Sequence, residues 1–236
     1  MAKGVRLFWL IAALALGLLA VGPALALDKK EARLEVEKAA ILVQQFMGSP
    51  DSNAPRWLLR RSKAVVIIPD MVKAGFVVGG KYGRGVVVAR KPDGSWSPPS
   101  FIRTGSASVG FQIGAQAMDL FMVVINQKGL DGILNNQVKF GVDASVVAGP
   151  WGRATEAGLT AASLKADIYS YSRSKGAFAG VSLEGGGIET DAQANAAYYG
   201  RPLSVREILT GNQITPPKEA QRLIDALTRF DKMPPK

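Results

Sequence analysis

The chain has 236 residues, a formal charge of +10, a pI near 9.9, and neither Cys nor His. Disulfides, thiolate or histidine metal sites and Ser-His or Cys-His nucleophiles are therefore excluded, which leaves carboxylates, Lys, Tyr and Ser for any catalysis. The excess of cations suits an anionic partner: phospholipid headgroups, an acidic polymer or nucleic acid.

Residues 1–26 have the pattern of a secretory signal peptide. Lys3 and Arg6 precede an apolar run, Leu7 to Val21, and Ala24-Leu25-Ala26 offers a small-residue cleavage site. The run is short for a membrane span; an uncleaved N-terminal anchor is the alternative. The sequence is thus expected to give an exported, periplasmic or secreted protein, peripheral at a membrane, with residues 27–236 as one domain.

Asp28 to Met47 predicts a helix, with Val36, Ala39, Ala40, Val43 and Met47 in one apolar stripe and a mixed-charge outer face. That outer face favours packing on the domain over lying on a membrane. Gly48-Ser49-Pro50-Asp51 ends the helix. A short helix follows over Ala54–Lys63 and closes in Arg60, Arg61 and Lys63.

From Ala64 the pattern becomes β, and most of the 26 glycines lie between Gly75 and Gly187. Strands are expected at Ala64–Ile68, Phe76–Val78 and Gly85–Ala89, the last two joined by a glycine turn at Gly79–Gly83. Pro92-Asp93-Gly94 is a turn. Further strands are expected around Trp96–Arg103, Ala107–Ile113, Leu120–Ile125 and, as one alternating run, Val138–Ala148. Asn126–Leu134 predicts a turn or short helix. Ile168–Ile188 reads as two strands joined at Ser174-Lys175-Gly176 and ended by Gly185-Gly186-Gly187, with a bulge where Tyr169 and Tyr171 switch face. Asp191 caps a helix through Tyr198, Ser204–Glu207 is a capping box, and Pro216-Pro217 opens a last helix with Ala220, Leu223, Ile224 and Leu227 inward. Strands in the middle with helices at both ends imply an α+β fold: a glycine-rich antiparallel sheet, curled or barrel-like, with the N- and C-terminal helices packed on it.

Several motifs invite chemistry. Gly75–Tyr82 approaches the phosphate-binding loop, but Tyr82 stands where Ser or Thr must hold Mg²⁺ and no helix follows. Ser172-Arg173-Ser174-Lys175 has the S-x-x-K spacing of penicillin-binding proteins, but in a strand context. Asp119, Asp143, Glu156 and Glu184 are the carboxylates available for glycoside hydrolysis. Lys73, Lys81, Arg84, Arg90 and Lys91 crowd one segment, where Gly79, Gly80 and Gly83 could add a backbone anion nest; the plain alternative is a solvated loop face. Too few aromatics accompany these cations for nucleic acid. No nucleotide, metal or cofactor is expected.

An ordered series of motifs resembles the SYLF lipid-binding family over roughly residues 35–212. It runs through Lys73-Ala74-Gly75-Phe76, Gly85–Arg90, Asp93–Ser100, Gln112-Ile113-Gly114, Ala148–Arg153, Tyr171–Gly176, Phe178–Gly185 and Tyr199-Gly200. The resemblance implies phospholipid binding without catalysis, with phosphoinositides as ligands of eukaryotic members and actin as a partner of some. For an exported bacterial member it implies anionic glycerophospholipid. Many relatives have Glu-x-Thr-Asp where this chain has Gln116-Ala117-Met118-Asp119. The expected headgroup contacts are Arg60, Arg61, Lys63, Lys73, Lys81, Arg84, Arg90 and Lys91, chosen because they cluster in sequence. A protein partner or an acidic polymer of the cell envelope is the alternative target.

Overall fold

The structure is a computed structural model that describes residues 27–50, 52–75, 78–109, 114–151, 164–174, 177–180, 183 and 186–233. Helix α1 (Lys29–Gly48) begins at a capping box in which the Asp28 carboxylate accepts from the Glu31 N–H and Glu31 accepts from the Asp28 N–H. Helix α2 (Asn53–Leu59) follows. Four long strands come next: β1 (Ala64–Gly75), β2 (Val78–Ala89), β3 (Ser100–Val109) and β4 (Gly114–Val124). Helix α3 (Gln127–Leu134) leads to the short strands β5 (Gln137–Lys139) and β6 (Val146–Ala148). Strands β7 (Ile168–Ser174), β8 (Ala177–Gly180) and β9 (Gly186–Thr190) complete the sheet. Helices α4 (Ala192–Tyr199), α5 (Val205–Thr210) and α6 (Lys218–Lys232) follow.

The nine strands of the described residues form one curled, half-barrel sheet in the order β5-β9-β3-β2-β1-β4-β7-β6, with β8 also paired to β7. Every pairing is antiparallel except β6 with β7. Strand β1 lies in the middle. Its residues 64–68 are buried on both faces, as are Val86–Val88 and Leu120–Val124 beside them. Uninterrupted apolar runs are what such doubly covered strands require.

Side chains of alternating parity feed two cores. Val65, Ile67, Val86, Val88, Phe101 and Phe121 pack under α1, α2, α4 and α6. Val66, Ile68, Val87, Ile102, Leu120 and Met122 pack against α3 and α5. We call these the inner face, which carries α1, and the outer face. An aromatic chain seats α1: Phe46 lies 5.6 Å from Phe121 and 6.3 Å from Trp151, which meets Tyr171 at 5.9 Å. Each fully buried large apolar side chain contributes about 1.5–3 kcal/mol.

Four expectations change. First, residues 79–83 are not a turn but the body of β2. The glycines serve close packing instead: a Cβ on Gly85 would sit 2.1 Å from the Ile67 carbonyl, and one on Gly83 2.7 Å from Ile68 Cγ2. Their N–H groups lie in a strand with neighbours on both sides, so the anion nest is not built. Second, the alternating run 138–148 is two strands at opposite edges of the sheet. Gly141 at φ 83° and an Asp143 carboxylate accepting from the Lys139 N–H turn the chain between them. Third, Tyr169 and Tyr171 keep an unbroken register with β4; the apparent switch of face arises because β7 starts only at Ile168. Fourth, Gly186 and Gly187 open β9 instead of ending a strand. The expected signal peptide, residues 76–77 of the strand Phe76–Val78, the 110–113 part of the strand Ala107–Ile113, the turn residues 175–176 and Gly185 lie outside the described residues.

Candidate functional site

The expected basic surface divides into two groups at opposite ends of the β1–β2 pair. Ten residues of strand separate Lys63 from Lys73, roughly 30 Å. At one end stand Arg60, Arg61, Lys63, Arg90 and Lys91; at the other, Lys73, Lys81 and Arg84.

The first end is largely committed to the fold. Arg90 Nη1 and Nη2 donate to the two Asp231 carboxylate oxygens at 2.9 and 2.8 Å. Its remaining donors reach the Ser62, Leu59 and Gly94 carbonyls at 3.1, 3.0 and 3.3 Å. The guanidinium also lies 4.3 Å from the Trp96 ring centroid. This fork ties the end of β2 to α6 and leaves Arg90 little capacity for a ligand. Arg61 lies 3.9 Å over the Trp57 ring, and Arg60 donates to the Met233 carbonyl at 3.3 Å. Lys63 is exposed, and Lys91 opens the tight turn that Gly94 closes.

The second end differs. Lys73 of β1 is the direct cross-strand partner of Lys81 of β2, on the outer face. Directly opposed like charges repel and destabilise a strand pair. Burial, and then the neighbouring Lys73, lower the Lys81 ammonium from its ordinary range. Among the described residues neither lysine has an ion-pair partner. The next pair along the hairpin, on the inner face, is Val72 with Tyr82, 47% and 46% exposed. A lysine pair and an exposed apolar–aromatic pair thus lie back to back on two strands.

Arg84 Nε donates to the Tyr82 hydroxyl at 3.0 Å, and Arg84 pairs across β2–β3 with Arg103. Arg103 lies 3.6 Å from Asp191 and 3.8 Å from Glu189. Where α1 crosses this end, charges of both signs alternate: Lys38 with Asp70 at 2.8 Å and Arg173 with Asp119 at 3.1 Å. Glu35 on α1 faces Lys38, Asp70 and Arg84. Burial raises its carboxyl from 4.5 to about 7, with Asp70 adding to the rise and Lys38 and Arg84 opposing it. Its Oε1 is buried without a hydrogen bond.

Among the described residues no catalytic constellation forms. Asp119 is paired with Arg173 and accepts from the Asp70 N–H; Asp143 holds the turn after β5. Glu156 and Glu184 lie outside the described residues. Ser172 sits in β7, not at a helix start, and β2 continues as strand where a phosphate loop would turn into a helix. Among the described residues no group of three acids could hold a metal ion, and no helix is long and apolar enough to cross a membrane. Sequence reasoning missed Val72, Tyr82, Arg103 and Glu35. The lysine, arginine and tyrosine positions of β2 were in view, but the register that sets them opposite their partners was not.

A family model described as Ysc84, Las17-binding protein actin regulator, matches residues 105–230. The chain belongs to the Ysc84 family. This is the family that the SYLF resemblance pointed to. Protein YSC84 of Saccharomyces cerevisiae is 35% identical over 190 residues, covering 78% of this chain and 40% of the relative. LAS seventeen-binding protein 3 of the same yeast is 36% identical over 200 residues, covering 82% and 43%. The human SH3 domain-containing YSC84-like protein 1 is 34% identical over 203 residues, covering 83% and 58%. The chain therefore spans about half the length of these relatives. No solved structure matches it.

Membership of the Ysc84 family bears on two points. The family is described by binding and regulation, not by a reaction. The expectation of an exported, periplasmic or secreted protein with a signal peptide is overturned. Its relatives are yeast and vertebrate proteins whose names speak of Las17 binding and SH3 domains, and the family model is described as an actin regulator. They give no support to a bacterial exported member or to an envelope polymer as target.

Proposed function

We propose that this Ysc84-family domain binds membrane surfaces carrying anionic phospholipid, without catalysis, through the end of the β1–β2 hairpin. One observation supports this reading above the rest: at the hairpin end the cross-strand pair Lys73–Lys81 on the outer face is backed, one position along, by the exposed pair Val72–Tyr82 on the inner face. Two unneutralised ammonium groups held together relieve their repulsion when phosphate arrives. An aromatic with a polar tip and a small apolar side chain suit the headgroup level of a bilayer. Arg84 flanks them. Of the eight cations chosen from sequence, only Lys73, Lys81 and Arg84 are assigned to this contact. Each cation near an anionic bilayer contributes about 1 kcal/mol, so three give about 3 kcal/mol, reversible and weakened by salt.

Co-sedimentation of the full chain with neutral and with anionic vesicles, at low and at physiological salt, tests the reading. Binding should require the anionic lipid, fall with salt and drop in the variant carrying Lys73→Ala and Lys81→Ala. Equal binding to neutral vesicles, or a variant that sediments like the parent, sinks it.

A second reading takes its support from the relatives' names. The family is described as Las17-binding and actin-regulating, so a protein partner of the actin system is the rival target. The alternating charged strip of Lys38, Asp70, Asp119 and Arg173 suits such a partner better than it suits a lipid. Charge substitutions at Lys38 and Arg173 that spare vesicle binding but abolish pulldown of actin would favour it.

A further inference from the structure

On the outer face, one row of cross-strand partners runs over β4, β1, β2, β3 and β9: Gln116, Lys73, Lys81, Ser106, Gly186. No carboxylate stands in that row. Lys81 is half-buried in its middle and lines a small hollow with Met71, Phe140 and Leu183, all three buried. Apolar side chains therefore adjoin it on one side and an ammonium on the other. Both disfavour its charged form, burial first and Lys73 second. Among the described residues it has no ion-pair partner. Lys38 is the opposite case within the same molecule. Its ammonium donates to Asp70 at 2.8 Å, and that hydrogen bond holds the proton on.

We propose that Lys81 is a site of covalent N-acylation by small activated acyl donors of the thioester class. Acyl transfer to lysine draws on the neutral amine, and a lysine without a carboxylate, pressed between a cation and apolar side chains, supplies more of it. The Lys81 Nζ lone pair attacks the thioester carbonyl carbon. A C–N bond forms, the C–S bond breaks, and the thiolate leaves and takes up the proton that the amine sheds. The step is redox-neutral. The Lys73 ammonium, one strand spacing away at about 5 Å, is placed to counter the negative charge that builds on the carbonyl oxygen. The product suits its surroundings better than the reactant. The amide carries no charge, so the repulsion across the strand pair ends and the hollow borders a neutral group. This reactivity belongs to the free chain and does not rest on the membrane reading. Only its consequence does, since acylation would remove one of the three cations assigned to that contact.

The probe is S-acetyl-N-acetylcysteamine, an uncharged thioester, added in limiting amount to the full chain at neutral pH without lipid. Peptide mass spectrometry then gives the acetylation rate of each lysine. Lys81 should react about fivefold faster than the exposed Lys63, and Lys38 more slowly than Lys63. In urea the three rates should converge, because the row exists only in the folded sheet. Lys73→Gln should slow Lys81 towards the rate of Lys63 and move its pH profile to higher pH, with Lys63 unaffected; a merely structural role for Lys73 would not move that profile. The proposal is overturned if Lys81 reacts no faster than Lys63, or if folded Lys73→Gln leaves the Lys81 rate and pH profile as in the parent. Sedimentation of the acetylated chain with anionic vesicles separates the two readings. Fast acetylation of Lys81 with vesicle binding unchanged supports the acylation site and overturns the membrane contact.

Discussion

The two ends of the β1–β2 pair carry similar charge and use it oppositely. At the Arg90 end, a guanidinium meets a carboxylate, three carbonyls and an indole, and its charge is spent on holding β2 to α6. At the Lys73 end, two ammonium groups face each other, and the fold gains nothing from them. A cation that stabilises the native state has few donors left for a ligand. A cation held against its own kind is a poor structural element and a good anion receptor. Proximity in sequence groups all eight residues together; partnership separates them.

That contrast can be broken most severely at the glycine that lets the two strands approach. Gly85→Ala should destabilise the domain by more than about 3 kcal/mol, since its Cβ would overlap the Ile67 backbone and β1 would have to move. Urea denaturation measures this. Arg90→Ala comes next, at about 2–3 kcal/mol, because the loss strands the partly buried Asp231. The same melts should show the drop, while vesicle binding of the folded fraction stays within twofold.

The lysine pair should behave in the reverse way. Lys73→Ala with Lys81→Ala should weaken partition onto anionic vesicles about thirtyfold, from about 1 kcal/mol per charge. Its midpoint in urea should stay level or rise, because a like-charge pair has been removed. A loss of stability as large as that of Arg90→Ala would erase the distinction between the two ends.

A further expected effect concerns pH. The Glu35 carboxyl is raised from 4.5 to about 7, so the folded state holds this proton more tightly than the unfolded chain. Its contribution is complete below 4.5 and is lost as pH rises through about 7. Thermal melts across that interval should fall with rising pH in the parent, and Glu35→Gln should flatten the slope. An unchanged slope would place the titrating group elsewhere.

Much of the architecture was legible because burial on both faces writes itself as apolar runs. Ala64–Ile68 and Gly85–Ala89 lie in central strands, as does Leu120–Ile125 but for its last residue. The continuation of β1 to Gly75 was hidden, because Pro69 and Asp70 interrupt the pattern. Asp70 has φ 51°, and the register slips between Ile67 and Val72. With that slip unseen, the glycines of β2 looked like a turn, and the pairing of Lys73 with Lys81 could not be inferred. Arg90 looked available because Asp231 lies 141 residues away. The apolar N-terminal run spoke for export, and only the relatives corrected it.

The Arg90–Asp231 clasp also bears on how the protein is made. Helix α1 emerges from the ribosome early, yet its buried stripe packs with Leu223, Leu227 and Phe230 of α6. The inner core can close only after residue 231 has been synthesised and has left the exit tunnel. Until then the nascent chain carries an amphipathic helix and half a sheet with no cover, the state in which chaperones bind and strands mispair. Trimming α6 would make that interim state permanent, so its loss should register first as aggregation during synthesis, before any weakening of a folded product.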